Sequence, residues 1–364
     1  MRYVLKKTYT FDDVSIQPEF STISSRSNCN VETKLSRNFK MRIPIIATPM
    51  DTITETEMGV QMDYLGGLGI IHRFMSIEEQ CKMVTWINHD GHVGIGNTFQ
   101  KPYLPENVLP KVIGAAIGVN NIERARALLK AGANLLMIDV AHADHQLVLD
   151  MIELLVKLKD EYDFDILAGT IATSGAAKRL IKAGVDGLVV GVGGGSLCET
   201  RIRAGVGIPM ITSISDVADA IEFMDPEVSL IATGGMRTPG DVAKAIAAGA
   251  DCVMLGSMLA GTRETPGAIH KSGTYGKDVL FKSYRGSASP DSKRDRGETK
   301  NVEGNSTTIP YRGSVVRIVN EIIEGLQSSM SYVGTDSMGD FKAQAILVEI
   351  SQSGVMEAKP HLLH

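Results

Sequence analysis

The chain has 364 residues, 43% hydrophobic and 22% charged, with 37 glycines against 13 prolines. That length allows two domains or one large α/β barrel, and it buries enough surface to fold without disulfide or metal staples. A formal charge of −5, from 37 Lys and Arg against 42 Asp and Glu, argues against a general polyanion binder, which needs a basic face. No nucleic-acid partner is expected, although helix N-termini and backbone N–H groups can still hold a small phosphorylated ligand. No segment approaches the ~18 continuous apolar residues of a membrane span, and the opening residues lack a signal peptide's apolar stretch and cleavage site. Four scattered cysteines (Cys29, Cys81, Cys198, Cys252) include no C-x-x-C pair, so they frame neither a disulfide scaffold nor a zinc site. The expectation is a soluble, reduced, cytoplasmic protein with no membrane partner.

In chain order, residues 1–40 precede the first strand and are expected to cap the bottom of the fold or pack beside it. Short β-branched runs then alternate with helical patterns. The strands are Ile45–Thr48, Leu68–His72, Val112–Gly118, Leu135–Ala141, Asp165–Thr170, Gly187–Val192, Ser229–Gly234 and Cys252–Gly256. Their continuous apolar character suits strands buried on both faces, as in parallel sheets. Between them lie helices such as Glu57–Tyr64, Ile122–Lys130, Gln146–Asp160 and Gly175–Ala183. An internal echo ("LLKAGANLLMIDVA", "LIKAGVDGLVVGVG", "AIAAGADCVMLGSM") places Gly132, Gly184 and Gly249 just past helix ends, where glycine adopts a left-handed conformation most easily. Eight strands and their crossovers predict a (β/α)8 TIM barrel spanning residues 1–364 as one domain; a doubly wound sheet is the alternative. Residues 260–313 form a polar excursion whose composition resists regular structure. A long loop at the C-terminal face of a barrel reads as a mobile functional flap. Val315–Leu326 reads as a closing helix, and the last thirty residues as mixed strand and tail.

The stretch "VVGVGGGSLCETRIRAGVG" carries the most chemistry. Glycines after the sixth strand let backbone approach a ligand, at the end of the barrel where catalytic groups sit. Cys198 is the one cysteine in such a setting, and a helix N-terminus or Arg201 could favour its thiolate. Gly234-Gly235 and Gly256-Ser257 end strands seven and eight, where barrels often build a phosphate site; tight turns alone are the alternative, but two such ends on adjacent strands favour the site. His142 and His145 stand three apart with no third ligand, which suits surface or hydrogen-bonding roles better than metal. Lys293-Arg294-Asp295-Arg296 reads as a solvated loop face. No G-x-S-x-G elbow occurs.

With these residues in hand, the sequence resembles the inosine monophosphate dehydrogenase and GMP reductase family along nearly its whole length. "TFDDVSIQP", "PMDTITE", "GGLGIIHRF", the cysteine loop, "GGMRTPGDVAKAIAAGADCVMLGSMLAGT" and "SYRGSAS" fall in family order. The resemblance implies a (β/α)8 barrel, commonly a homotetramer, that takes a purine nucleoside monophosphate and a nicotinamide cofactor, with potassium or another monovalent cation on cysteine-loop carbonyls. The short spacing before strand three leaves no room for the paired regulatory (CBS) domain that many dehydrogenases insert. The flap lacks the dehydrogenase Arg-Tyr pair, while "GSAS", "KNVEG", "SRSNC" and "LQSSMSYVG" resemble the short bacterial GMP reductase. That branch implies NADPH-dependent reductive deamination of GMP. A dehydrogenase oxidising IMP and a catalytically silent nucleotide-binding protein are the alternatives.

Carried over residue by residue, the resemblance implies Cys198 as nucleophile, with Thr200 and Glu303 as its proton relay. It implies substrate contacts from Met50, Ser196, Gly234, Gly235, Gly256, Ser257, Tyr284, Arg285 and Gly286. Asp139, Ala141 and His142 would face the cofactor, and Gly191, Gly193 and Cys198 would offer carbonyls to the cation. Two positions depart from the family. Glu199 stands where a small or apolar residue is common. Thr233 stands where the family's aspartate accepts hydrogen bonds from both ribose hydroxyls, which raises 2′-deoxyguanylate (dGMP) as a substrate and dIMP as its product.

Overall fold

The computed structural model describes residues 6–89, 109–273, 279–298, 300 and 302–358. Eight parallel strands close into a barrel: β1 (Ile45–Ala47), β2 (Leu68–Ile71), β3 (Gly114–Ile117), β4 (Leu135–Asp139), β5 (Asp165–Ile171), β6 (Gly187–Val190), β7 (Ser229–Thr233) and β8 (Cys252–Leu255). They pair in sequence order, with β8 returning to β1. Helices α1 (Thr56–Leu65), α2 (Ile77–Asn88), α3 (Ile122–Lys130), α4 (Gln146–Leu158), α5 (Ser174–Ala183), α6 (Met210–Met224), α7 (Pro239–Ala247) and α8 (Val315–Val333) form the outer layer. The eight expected strands are all present, one or two residues shorter at their C-terminal ends for the most part.

Side chains alternate along each strand, as the pleat dictates. Ile46, Leu135, Met137, Leu167, Val189, Ile231 and Met254 fill the barrel interior. Ile45, Leu136, Ile138, Ile166, Leu188 and Val253 pack outward under the helices. The N-terminal segment closes the bottom: strands Thr33–Lys34 and Lys40–Met41 form a hairpin that inserts Leu35 and Met41 into the interior cluster. Upstream, Val14–Ile16 pairs antiparallel with Leu347–Glu349 and ties the two ends of the chain together.

Two expectations need correcting. The described residues of 260–313 are not irregular, with 274–278, 299 and 301 lying outside them: His270–Ser272, Val279–Arg285 and Ser306–Pro310 form an antiparallel sheet, and Pro290–Asp295 forms a short helix capped by Ser289. Period-two burial drives the central strand, where Lys282 and Tyr284 turn inward while Ser283 stays exposed. Buried Lys282 donates to the carbonyls of Thr262 (3.2 Å) and Thr265, so a charged residue hides an inward-facing position. The closing helix α8 also outruns Leu326, because Met330 and Val333 continue its apolar stripe until Gly334 (φ +84°) ends it. Among the described residues no helix is long and apolar enough to cross a membrane.

Candidate active site

The cysteine loop leaves β6 in contact with the end of β7. At Gly191 (φ +149°) a Cβ would lie 1.9 Å from the Thr233 carbonyl oxygen, so only glycine allows the approach. At Gly234 (φ +88°) a Cβ would lie 3.0 Å from the backbone of Gly194 and Gly195. Arg201 Nη2 supports the loop from behind, donating to the carbonyls of Val192 (3.3 Å) and Ile208 (2.7 Å).

The loop presents Cys198 to a chain of donors. Cys198 Sγ donates to Thr200 Oγ1 at 3.1 Å, and Thr200 Oγ1 donates to Glu303 Oε2 at 2.7 Å. Glu303 arrives from the flap, held by backbone bonds from Glu199 N to Glu303 O (2.8 Å) and Asn305 N to Leu197 O (3.0 Å). Glu199 adds a side-chain tie: its carboxylate accepts from Asn305 Nδ2 at 2.6 Å and from Arg203. The Arg203 bond first, then Asn305, holds that carboxyl below the usual range for glutamate. The other cysteines sit in contrasting surroundings. Burial pushes the thiols of Cys29 and Cys81 up, and that of Cys252 well up, which disfavours the reactive thiolate.

Cys198 opens onto a cavity of about 410 Å³. Its wall includes Met50, Asp139, Ala141, Gly191, Gly193, Ser196, Thr200, Thr233, Gly234, Tyr284, Gly286 and Glu303. An adjoining hollow of about 280 Å³ shares Gly193 and Ser196 and adds Gly235 and Ser257. Ser196 Oγ and Tyr284 Oη stand 3.2 Å apart at the junction, and burial pushes the Tyr284 phenol up. Gly256 lies beside them; a Cβ there would meet Met50 Sδ and Tyr284 Oη at 3.5 Å.

Two expected positions lie elsewhere, while His145 takes the hydrogen-bonding role expected of it. Arg285 does not face the cavity; its guanidinium holds Asp51 (2.9 Å) and Asp295 (2.6 Å), which fastens the flap to the loop after β1. His142 is exposed and outside the cavity wall. His145 caps α4, its Nδ1 accepting from Leu147 N at 3.1 Å. The run at 293–296 is not a solvated face, because Lys293 and Arg296 line the cavity while Arg294 points to solvent. The short helix explains the split: residues three apart share a face.

Comparison with known proteins gives the family. The model of the IMP dehydrogenase / GMP reductase domain matches residues 8–361. The chain belongs to the IMP dehydrogenase / GMP reductase family. The inosine-5′-monophosphate dehydrogenase of Cryptosporidium parvum is 38% identical over 98% of this chain and 95% of its own length. The GMP reductase of Leishmania major is 32% identical over 98% and 97% respectively. A GMP reductase from Trypanosoma brucei, crystallised in complex with guanosine 5′-monophosphate, superposes with a TM-score of 0.86 at 30% identity, covering 98% of both chains. Membership makes this chain an oxidoreductase of purine nucleotide metabolism that works with a nicotinamide cofactor.

Within that family frame, the sequence reading missed Arg73, Phe74, Lys293, Arg296 and Glu298. Two guanidinium groups approach the Phe74 ring, Arg73 at 4.9 Å and Arg296 at 4.5 Å from its centre. Lys293 adds a third cation, and Glu298 pairs with it (3.5 Å) and with Arg296 (3.2 Å). This cationic, aromatic mouth suits the phosphates and rings of a nicotinamide dinucleotide. Asp139 stands alongside, 3.9 Å from Arg73, its carboxyl pushed up by burial. The sequence signal was available in the spacing of Lys293 and Arg296 once the short helix was recognised. Among the described residues no group of three or more His, Cys, Asp or Glu is placed to hold a metal ion.

Proposed function

We propose that this enzyme is a GMP reductase, converting GMP to IMP and ammonia with NADPH. The observation that carries the reading is the directed chain from Cys198 Sγ through Thr200 Oγ1 to Glu303 Oε2. Each hydroxyl or thiol donates toward the carboxylate, which is the route for taking the thiol proton. The Cys198 thiolate then attacks the purine C2, forming an S–C2 bond. As the C2–N bond breaks, the proton held on Glu303 returns through Thr200 to the departing amine, which leaves as ammonia. Atoms balance at this stage without water. A bound NADPH supplies a hydride to C2. Sγ then leaves as thiolate, releasing IMP, and takes up a proton from solvent.

Ser196, Tyr284, Gly235, Gly256 and Ser257 are suited to the phosphate, through hydroxyls and through backbone that glycine leaves open. The flap over the cavity would keep water from the covalent intermediate. Potassium on the carbonyls of Gly191, Gly193 and Cys198, a homotetrameric state and a cytoplasmic setting go with this reading. A rate unaffected by replacing potassium with a bulky organic cation removes the first of these.

IMP oxidation with NAD is the second reading, favoured by Arg296, a flap arginine in the cavity wall. Against it, Arg296 is already engaged by Ser287 O (2.8 Å), Ser292 Oγ (2.7 Å) and Glu298 (3.2 Å), so it is poorly placed to activate water. The flap from Ser283 to Glu303 also holds no Arg-Tyr pair. Purified protein incubated with GMP and NADPH, and separately with IMP and NAD, decides between them. Turnover of the second pair alone overturns the proposal.

A further inference from the structure

The end of β7 occupies a defined place between two functions. On one side β6 leads to the cysteine loop; on the other, β8 leads to Gly256 and Ser257. A nucleotide with its base at Cys198 and its phosphate near Ser196, Tyr284 and Ser257 must lay its sugar across this strand end. The side chain offered there is Thr233. Its hydroxyl donates to the Met254 carbonyl on β8 at 3.2 Å, so its single hydrogen is engaged and Oγ1 has only lone pairs to offer.

Among the described residues three carboxylates line the cavity, and none belongs to β7 or β8, whose ends the sugar would cross. Glu303 accepts from Thr200. Glu298 is paired with Lys293 and Arg296 on the flap. Asp139 is on β4, three strands from β7, and faces Arg73. At the end of β7 the side-chain acceptor is therefore a single hydroxyl oxygen, Thr233 Oγ1, rather than a carboxylate. A ribose brings two adjacent hydroxyl donors to this wall, and a 2′-deoxyribose brings one. A site strongly favours the ribose only when it holds polar groups that the missing hydroxyl would leave unpaired.

Resting on the reading of a purine nucleoside monophosphate bound as above, we infer that this enzyme accepts 2′-deoxyribonucleotides at least as well as ribonucleotides, and that Thr233 sets the preference. The test is kcat/KM for GMP and dGMP with NADPH, using the full chain and the Thr233→Asp and Thr233→Ser variants. Wild type should use dGMP within about threefold of GMP or better. Thr233→Asp adds a charged acceptor and should move the ratio toward GMP by about ten- to a hundredfold. Thr233→Ser keeps Oγ1 and should leave the ratio near that of wild type. A wild-type preference for GMP well beyond threefold, or a ratio that a folded Thr233→Asp leaves unmoved, overturns the inference. If Thr233→Asp does not fold, the wild-type ratio decides alone. Should guanine nucleotides not be reduced at all, calorimetric Kd values for IMP and dIMP read the same sugar preference, so the two failures are distinguishable.

Discussion

The two ends of the barrel use carboxylates in opposite ways. At the bottom, Asp165 is fully buried and accepts from Ser36 Oγ (2.6 Å), Asn38 N (2.9 Å) and Asn38 Nδ2 (2.7 Å). Asp186 beside it meets Lys159 at 2.5 Å and Arg37 at 3.3 Å. These acceptors are saturated by the hairpin and by neighbouring helix ends, and their arrangement closes the barrel. At the top, Glu303 is in contact with a hydroxyl that itself contacts a thiol, and Asp139 has an arginine only at 3.9 Å. A saturated carboxylate adds stability but has little capacity for chemistry, whereas one left with spare acceptor capacity can exchange protons. The contrast predicts that substitutions at the top lower rate with little effect on stability, and that those at the bottom do the reverse.

The largest expected effect is at Cys198. Cys198→Ala should lower turnover by about 10⁴-fold or more, because the nucleophile acts as a unit with its base. Its melting temperature should move by less than about 2 °C, and calorimetry should still detect GMP binding. A residual rate near wild type would remove the thiol from the mechanism. Next, Glu303→Gln should lower kcat by about 10²-fold, the usual worth of general acid–base help, with a much smaller change in the KM for NADPH. A selective loss of cofactor affinity at constant kcat would instead assign Glu303 to cofactor binding.

Asp165→Ala tests the other end. It leaves the buried Ser36 hydroxyl without its acceptor, while exposed Asn38 can turn to water, and should lower unfolding free energy by about 1–3 kcal/mol in urea titrations. The kcat of the folded fraction should stay within about twofold of wild type. A large loss of kcat at 25 °C with full folding would break the division of labour between the two ends.

The fold was legible because buried parallel strands read as short apolar runs and because glycine marks the helix ends; Gly132, Gly184 and Gly249 all take positive φ. The chain from Cys198 through Thr200 to Glu303 was visible through resemblance rather than spacing, since Glu303 is 103 residues from Thr200 in sequence. Charge hides inward-facing positions at two places. Lys282 is buried although charged, because three backbone carbonyls receive its ammonium. Lys293 and Arg296 read as solvated because their inward face depends on a one-and-a-half-turn helix with little apolar signal of its own. Arg285 carried a motif match, yet Asp51 and Asp295 draw it away from the cavity.

The smallest effect, and the sharpest test of the comparison, is at Glu199. Its carboxylate resembles those at the bottom in being saturated, by Arg203 and Asn305, but it sits at the top between Cys198 and Thr200. If saturation decides the role, Glu199 holds the flap and takes no part in proton transfer. Glu199→Gln should then lower kcat by no more than about threefold to tenfold, because backbone bonds at Glu303 and Asn305 still align the relay. The pH dependence has a definite sign. Arg203 and Asn305 lower the carboxyl from its ordinary 4.5, so the tie is complete above that value and weakens as pH falls through the lowered one. Wild type and Glu199→Gln should therefore show parallel kcat profiles above about pH 5 and converge only in more acid solution. A new pKa near neutrality appearing or vanishing in the variant would instead make Glu199 a participant in the proton relay.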